Sequence, residues 1–335
     1  MKNYLFSILV VLFFSCGKEE SALVFEDTLL VIPKGFPAII FPQDNDLTTE
    51  RWSLGKRLFY DPILSRDNSI SCASCHQPER AFTDGNELSV GIESRIGNRN
   101  APTLANIGYH PYLTREGGVP TLEMQILVPV QEHAEFDFNI LLIADRMKAD
   151  SSYVKASLEA YGREPDPFVI TRSISCFERT MLSGNSRYDK FINGDRSQLN
   201  VSEQRGKDLF FSDRLSCTMC HSGFNFTNYA FENNGLYEEY NDPGRYRLTG
   251  DEKDRALFKV ATLRNVAVTS PYMHDGSITT LADVVDHYNT GGENHPHKSP
   301  LLRSLNLTTQ EKADLVAFLE ALTDNEFLND PKFRK

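Results

Sequence analysis

The stretch Cys72-Ala73-Ser74-Cys75-His76 decides the fold of this 335-residue chain, and its pattern recurs as Cys217-Thr218-Met219-Cys220-His221. Cys-x-x-Cys-His is the attachment signature of a c-type haem, in which two thiols bond to the haem vinyl groups and the adjacent histidine binds the iron. A lone Cys-x-x-Cys pair could instead form a disulfide, a redox dithiol or half of a zinc site. Because both copies carry the histidine directly after the second cysteine, the sequence predicts two covalently bound haems.

The N-terminus has the pattern of an export signal. Lys2 precedes an apolar run over residues 5–14, and Cys16 follows a small residue. The run is shorter than the roughly 20 apolar residues that a transmembrane helix needs. The surroundings of Cys16 resemble a bacterial lipobox, so we predict a lipoprotein-type signal peptide over residues 1–16 with a lipid on Cys16; ordinary cleavage is the alternative. We therefore expect an exported protein of the periplasm or cell envelope, which meets the membrane only through its lipid anchor.

The chain has six cysteines. One is assigned to the lipid and four to the haems, which leaves Cys176. This cysteine lies among apolar residues at helical spacing, so we predict a buried, inert thiol rather than a reactive one.

The net charge of the chain is −11 at pH 7. An acidic chain is a poor match for the phosphate backbone of nucleic acid, so no nucleic-acid partner is expected. The charge favours a partner with a basic surface, such as a small electron-donor protein of the cytochrome c or cupredoxin type.

Apolar residues recur at helical spacing along most of the chain, whereas strand-like alternation is scarce. Helices are predicted over residues 47–61, 138–149, 151–161, 168–183, 202–211, 279–288 and 309–322. The last of these begins with a capping box formed by Thr308 and Glu311. We predict a mainly α fold with long loops and little β structure.

An internal repeat predicts two similar halves. Gly55-Lys56-Arg57-Leu58-Phe59 precedes the first haem motif, and Gly206-Lys207-Asp208-Leu209-Phe210 precedes the second. Similar pairs of short motifs follow each haem motif in the same order. We predict two cytochrome c-like domains, each with one haem: a tether over residues 17–45, an N-terminal peroxidatic domain over 46–196 and a C-terminal electron-transfer domain over 197–335.

Several further motifs resemble those of the bacterial di-haem cytochrome c peroxidases and their MauG-like relatives. The similarity extends from Leu54 to about Leu322. Its motifs are Leu54-Gly55-Lys56-Arg57-Leu58-Phe59-Tyr60-Asp61-Pro62, Arg99-Asn100-Ala101-Pro102-Thr103, Leu122-Glu123-Met124-Gln125, Leu263-Arg264-Asn265 and Pro271-Tyr272-Met273-His274-Asp275-Gly276-Ser277. The resemblance implies that His76 and His221 are the proximal ligands, that the first haem is the peroxide site and that the second stores and relays electrons.

The resemblance also implies two distal residues at the first haem, Gln125 and Glu135. Cleavage of the O–O bond requires a proton to move between the two peroxide oxygens, which a carboxylate can carry while an amide orients the peroxide. The alternative for Glu135 is a solvated surface acid, since Glu132 and Asp137 are near it in sequence.

This sequence departs from the family at both irons. Many members have a blocking histidine sixteen positions after the first proximal histidine, but here that residue is Ile92. The first haem is therefore predicted to be open, with His110 and His133 as remaining candidates for a blocking role. At the second haem the resemblance implies Tyr288 as sixth ligand, as in MauG-like members, with His287 as the rival; a core aromatic residue is the alternative for Tyr288.

A third departure lies between the haems. The position of the family tryptophan is occupied by Arg115, and the single tryptophan of the chain is Trp52. Tyr112 is a candidate π bridge in its place.

The resemblance further implies a calcium ion. Its ligands would be the Asn100 side chain and two backbone carbonyls, at the positions Thr269 and Pro271. The resemblance also implies a haem or interface contact for His274.

We therefore predict a di-haem c-type peroxidase that reduces hydrogen peroxide to water with electrons from a small periplasmic donor. A MauG-like oxidase acting on a partner protein or organic substrate is the first alternative. A non-catalytic di-haem electron carrier is the second. Dimers are common in the family, so a homodimer is one expected assembly.

Overall fold

The computed structural model describes residues 29–335, so the predicted signal peptide, Cys16 and the first part of the tether lie outside the described residues. Within this range the chain is mainly helical, which confirms the predicted class. The α-helices are α1 (Thr49–Tyr60), α2 (Cys72–Cys75), α3 (Leu122–Gln125), α4 (Leu127–Gln131), α5 (Ile140–Lys148), α6 (Ser151–Tyr161), α7 (Pro167–Glu178), α8 (Arg187–Ile192), α9 (Val201–Phe210), α10 (Tyr246–Thr249), α11 (Leu281–Thr290), α12 (Thr309–Glu320) and α13 (Asn325–Asn329). In the described range, none of these helices is both long and apolar enough to cross a membrane.

The two copies of the repeat build the same helix crossing. Helix α1 packs along α7, and α9 packs along α12. A Cβ atom at Gly55 would lie 1.9 Å from the carbonyl oxygen of Ser173, and a Cβ atom at Gly206 would lie 1.9 Å from that of Asp314. Each glycine therefore allows the backbones of its two helices to approach closely, and this explains why the repeat contains it.

Two large hydrophobic cores surround these crossings. The first is built mainly from α1 and α5 to α7, and the second from α9, α11 and α12. The predicted apolar face of α12 is buried, with Phe318 and Leu322 inaccessible to solvent. Helix α12 also begins with the predicted capping box of Thr308 and Glu311. Cys176 is buried in the first core, where burial raises the pKa of its thiol to about 12.

The C-terminal tail does not stay with the second half of the chain. Phe327, Leu328 and Phe333 pack in the first core, and the rings of Phe327 and Phe333 lie 5.7 and 5.9 Å from that of Phe82. The predicted division at residue 197 assigned this tail to the C-terminal domain. The tail instead crosses back because its aromatic rings bury their surface against the first core.

Helix α7 ends at Glu178, five residues before the predicted end at Ser183. The backbone beyond it pairs with a different segment. The Asn106 N–H donates to the Met181 carbonyl (2.8 Å), and the Ser183 N–H donates to the Asn106 side-chain oxygen (2.8 Å). These long-range hydrogen bonds replace those of another helical turn.

The β structure is small, as predicted. Strands β1 (Phe231–Glu232) and β2 (Phe258–Lys259) form one short antiparallel pair, with Phe231 opposite Lys259. The backbone N–H of Lys259 donates to the carbonyl of Arg115 (2.7 Å), so this ribbon connects the second half of the chain to the first.

Candidate functional site

His76 follows α2 and is oriented by the loop after it. Its Nδ1 lies 2.7 Å from the carbonyl oxygen of Phe82, a residue with φ of +63°. A ring that donates its Nδ1 proton to a carbonyl keeps the lone pair of Nε2 for a metal ion. Burial lowers the pKa of His76, which favours the neutral ring that iron requires.

The second motif uses the same arrangement. His221 Nδ1 lies 3.1 Å from the carbonyl oxygen of Phe226, whose φ is +50°. Burial lowers the pKa of this histidine too. The internal repeat therefore extends to the hydrogen bond that orients each motif histidine.

The four motif cysteines are free thiols rather than disulfides. Burial raises the pKa of each of them, which favours the neutral thiol. In the part of the chain that the structure describes, no group of three or more His, Cys, Asp or Glu side chains forms a metal cluster. At each motif, two thiols with an oriented histidine fit the residues that would hold a covalent haem.

Glu135 lies beside the first haem motif. Burial raises the pKa of the Cys75 and Cys72 thiols, and the negative charge of Glu135 raises both further. The pKa of Glu135 itself is raised to about 7, first by burial and then by the charge of Glu132. Glu135 is half-buried and its pKa is raised, whereas a solvated surface acid would be exposed and keep an ordinary pKa, so the position favours the distal interpretation.

Gln125 ends helix α3, one residue before α4 begins the segment that leads to Glu135. Its side-chain oxygen Oε1 is buried and accepts no hydrogen bond within the described range. Buried amide oxygens normally have a partner, so this atom is available to a bound molecule.

The position of the absent blocking histidine is firmly packed. Ile92 is inaccessible to solvent, and its backbone N–H donates to the carbonyl oxygen of Glu135 (3.1 Å). A Cβ atom at the preceding Gly91 would lie 2.0 Å from the carbonyl oxygen of Ala134, so only glycine fits there. An aliphatic side chain has no lone pair for iron.

The two remaining histidine candidates lie elsewhere. The His133 side chain is 72% exposed and points toward Arg95 and Asp137. His110 is half-buried, with its Nδ1 3.3 Å from the ammonium group of Lys259. Its Nε2 atom is buried without a hydrogen-bond partner in the described range.

At the second haem motif, the structure separates Tyr288 from its rival His287. Burial raises the pKa of Tyr288 to about 12, and the charges of Cys220 and Cys217 raise it further, so the phenol lies close to the motif. His287 Nε2 instead lies 2.9 Å from the backbone carbonyl of Asn234. The contact with Asn234 occupies the nitrogen of His287 that would bind iron, which favours Tyr288.

The aromatic candidates between the two halves differ in position. Trp52 is a core residue whose indole N–H donates to the Thr180 hydroxyl (2.9 Å). The Tyr112 hydroxyl donates to the Tyr229 carbonyl (2.8 Å), and its ring stacks on Phe231 at 5.2 Å. Tyr112 therefore links the halves, and Trp52 does not.

The residues predicted to bind calcium also lie where the halves meet. The backbone N–H of Asn100 donates to the carbonyl of His274 (2.9 Å), and the His274 ring stacks on Phe258 at 4.2 Å. Thr269 and Pro271 belong to the loop that precedes His274. The Asn100 side chain is already engaged, because its oxygen accepts a hydrogen bond from Arg115 (3.0 Å).

Sequence reasoning missed Glu178. Burial raises the pKa of this carboxyl group to about 8, and its charge contributes to the raised pKa of Cys72, so it lies close to the first motif. It occupies the buried face of α7, four residues after Ile174. An acidic residue at a core position of a helical pattern was the signal that could have revealed it.

The comparisons with known proteins agree with this arrangement. The model of the family described as di-haem cytochrome c peroxidase matches residues 49–197. The methylamine utilization protein MauG of Methylorubrum extorquens is 35% identical over 84% of this chain and 80% of its own. The cytochrome-c peroxidase IdrP1 of a Pseudomonas species is 33% identical over 88% of this chain and 87% of its own.

A solved structure shows the same likeness. A MauG-like protein associated with microbial copper homeostasis has a TM-score of 0.85 and 37% identity, over 90% of this chain and 97% of that one. The helix crossings, the paired haem motifs and these relatives lead to one assignment. The chain belongs to the di-haem cytochrome c peroxidase family, which includes MauG.

Proposed function

We propose that this protein is a peroxidase that reduces hydrogen peroxide to two molecules of water, using two protons and two electrons from a small donor protein. The observation that carries the proposal is the half-buried carboxyl group of Glu135 beside the first haem motif, with a pKa raised to about 7. A general acid–base group works best when its pKa lies near the working pH.

A haem held by Cys72, Cys75 and His76 would supply the iron and the electrons for cleavage of the peroxide O–O bond. The side chains supply the proton transfer. Glu135 in its ionised form accepts a proton from the inner peroxide oxygen and returns it to the outer oxygen, which leaves as water. The Gln125 amide, whose oxygen has no hydrogen-bond partner among residues 29–335, orients the peroxide.

The second haem, on Cys217, Cys220 and His221, has the role of an electron store. We propose that Tyr288 would hold its iron together with His221, since Nε2 of His287 is hydrogen-bonded to the Asn234 carbonyl. An iron with two strong protein ligands transfers electrons and binds no substrate. In this proposal the first half binds peroxide, and the second half stores and transfers electrons.

The test compares two carboxylates of the same loop. Glu135→Ala is expected to keep both haems and to lose peroxide turnover by roughly 10²- to 10⁴-fold, the usual contribution of a general acid–base group. Glu132→Ala, the matched control, should keep turnover within a few-fold, since Glu132 acts on the site only through its charge. Equal turnover in wild type and Glu135→Ala would overturn the assignment.

A MauG-like oxidase is the second candidate, and the combination of Ile92 with Tyr288 favours it. The relatives include proteins named MauG as well as cytochrome c peroxidases. Against it stands Arg115, because an arginine offers no aromatic step for oxidation at a distance. Oxidation of a co-expressed protein by peroxide-treated enzyme, without consumption of an added electron donor, would favour the oxidase.

A non-catalytic electron carrier is distinguished by the spectrum of the ferric protein. A high-spin component indicates an iron with an open face, whereas two low-spin haems indicate a carrier.

We further propose an exported protein of the periplasm or cell envelope that is anchored through a lipid on Cys16. Export agrees with covalent haem attachment, and a homodimer is the assembly we propose from the family.

A further inference from the structure

Arg115 holds both oxygens of Asn100. Its Nη2 donates to the Asn100 backbone carbonyl (2.8 Å) and to the side-chain oxygen Oδ1 (3.0 Å), and its Nε donates to the same carbonyl (3.1 Å). The Asn100 amide nitrogen donates in turn to the Asn86 carbonyl (2.9 Å). Asn100 is only 6% exposed, so its side chain is held in this orientation by protein groups on both sides.

These contacts conflict with a calcium ion at Asn100. Calcium takes about six to eight oxygen ligands at roughly 2.3–2.6 Å, and Oδ1 of Asn100 is the side-chain ligand that the family resemblance implies. A guanidinium group that donates to this oxygen at 3.0 Å carries a positive charge and uses the oxygen as its acceptor. The residues therefore do not fit the metal, since two cations would share one oxygen at close range.

Arg115 keeps its charge in this place. Burial lowers its pKa to about 10, with a further decrease from the neighbouring Arg99, and the group remains protonated at neutral pH. Arg99 is paired with Glu116, and it binds Asp242 through two hydrogen bonds of 2.6 and 2.9 Å. Two carboxylates near Arg115, Glu116 and Asp242, are thus held by another cation, and a third, Asp275, accepts a hydrogen bond from the Tyr237 hydroxyl (2.6 Å).

The same arginine joins the two halves of the chain. Its backbone carbonyl accepts the N–H of Lys259 (2.7 Å), while Asn100 donates its own N–H to His274 (2.9 Å). Arg99 and Asp242 form an ion pair across the same boundary. A structural cation at the junction is therefore supplied by the chain itself.

We propose that the guanidinium group of Arg115 takes the place of the calcium ion, so that this protein joins its halves without binding calcium at Asn100. The role of Arg115 at Asn100 is the same whether the substrate is peroxide or a partner protein. Arg115 stands at the position where the family has a tryptophan.

The test measures calcium in the haem-loaded protein. Wild type dialysed against calcium and then buffer is expected to hold far less than one calcium per chain by atomic emission, with the same melting temperature in calcium and in EGTA. Arg115→Ala frees the Asn100 oxygen, so it should bind calcium and melt at a higher temperature in calcium than in EGTA.

Arg255→Ala is the matched control, because this arginine pairs with the exposed Glu252 and stacks on the Tyr246 ring rather than contacting Asn100, so its loss should create no calcium response. About one calcium per wild-type chain, removed by EGTA with a fall in melting temperature, would overturn the proposal. Absence of calcium from both wild type and Arg115→Ala would overturn it as well, because Arg115 would then not be what fills the site. If Arg115→Ala does not fold, Arg115→Gln provides the same comparison with a neutral side chain of similar polarity.

Discussion

The backbone N–H of Ile92 donates to the carbonyl oxygen of Glu135 across 3.1 Å. This hydrogen bond connects the segment in which other family members have a blocking histidine to the backbone of the residue proposed for proton transfer. Ile92 is buried and its side chain has no lone pair for iron, and its segment holds the backbone of Glu135 in place.

Ferric protein, as isolated, is therefore expected to react with peroxide without prior reduction. Stopped-flow spectroscopy should show the Soret band changing in the first mixing phase, at a rate proportional to peroxide concentration. Protein reduced by one electron before mixing serves as the control and should react no more than a few-fold faster. A reaction seen only after reduction would show that some other residue blocks the iron.

The pH profile should report the ionisation of Glu135. The pKa of this carboxyl group is about 7, above its ordinary value, and the ionised form is the proton acceptor. Hence kcat/KM for peroxide should rise with pH through about 7 and level off above it. Glu132→Gln removes a neighbouring negative charge, which lowers the pKa of Glu135, so the rise should move to lower pH.

Asp145→Asn provides the matched control for this profile, since Asp145 is an exposed carboxylate on α5 with a side chain 68% accessible. Its loss should leave the profile in place. A profile that is flat between pH 5 and 8 in wild type would argue against Glu135 as the proton acceptor.

Glu178 predicts a pH-dependent stability. Its pKa in the folded protein is about 8, so the fold favours the protonated carboxyl group. The stability linked to this proton is complete below the ordinary carboxyl pKa and is lost as pH rises through about 8. Within this window the free energy of unfolding should fall by at most about 1.4 kcal/mol per pH unit in wild type.

Glu178→Gln cannot ionise and should lack this fall. Urea denaturation of the haem-loaded protein at pH 5.5 and 8.5 measures the difference, with Glu159→Gln, on the exposed face of α6, as the control. The same pH dependence in wild type and Glu178→Gln would show that Glu178 ionises without cost in the folded protein.

The ligand of the second haem can be tested by its potential. A methionine ligand raises the reduction potential relative to an anionic oxygen ligand, so Tyr288→Met should raise the potential of one haem by on the order of 0.1 V. His287→Ala should leave both potentials within error, because its ring bonds to Asn234. Spectroelectrochemical titration measures both; a shift only in His287→Ala would reverse the assignment of the ligand.

Local patterns in the sequence account for the parts of the structure that were foreseen. The haem motifs, the capping box at Thr308 and the buried face of α12 each depend on residues a few positions apart. The family resemblance supplied Gln125 and Glu135, which no local pattern identifies.

The parts that were not foreseen depend on contacts between distant residues. The hydrogen bonds of Arg115 to Asn100 join positions fifteen apart, and the tail residue Phe333 packs on Phe82. The length of α7 is limited by Asn106, far earlier in the chain. Composition and periodicity carry no information on such pairs, because any folded arrangement would satisfy the same local pattern.

The repeated glycine allows a last prediction about the fold. Alanine is the better helix former by about 0.5–1 kcal/mol, so Gly206→Ala would stabilise an isolated α9. In the protein the new Cβ atom would lie 1.9 Å from the carbonyl oxygen of Asp314, and α9 must move away from α12. We expect the variant to lose roughly 1–3 kcal/mol of stability, the usual cost of overpacking. Asp208→Ala, whose side chain is 72% exposed on the same helix, should change stability by less than about 0.5 kcal/mol. Thermal unfolding compares the two, and an unchanged or higher melting temperature in Gly206→Ala would mean that the helices do not cross at this glycine.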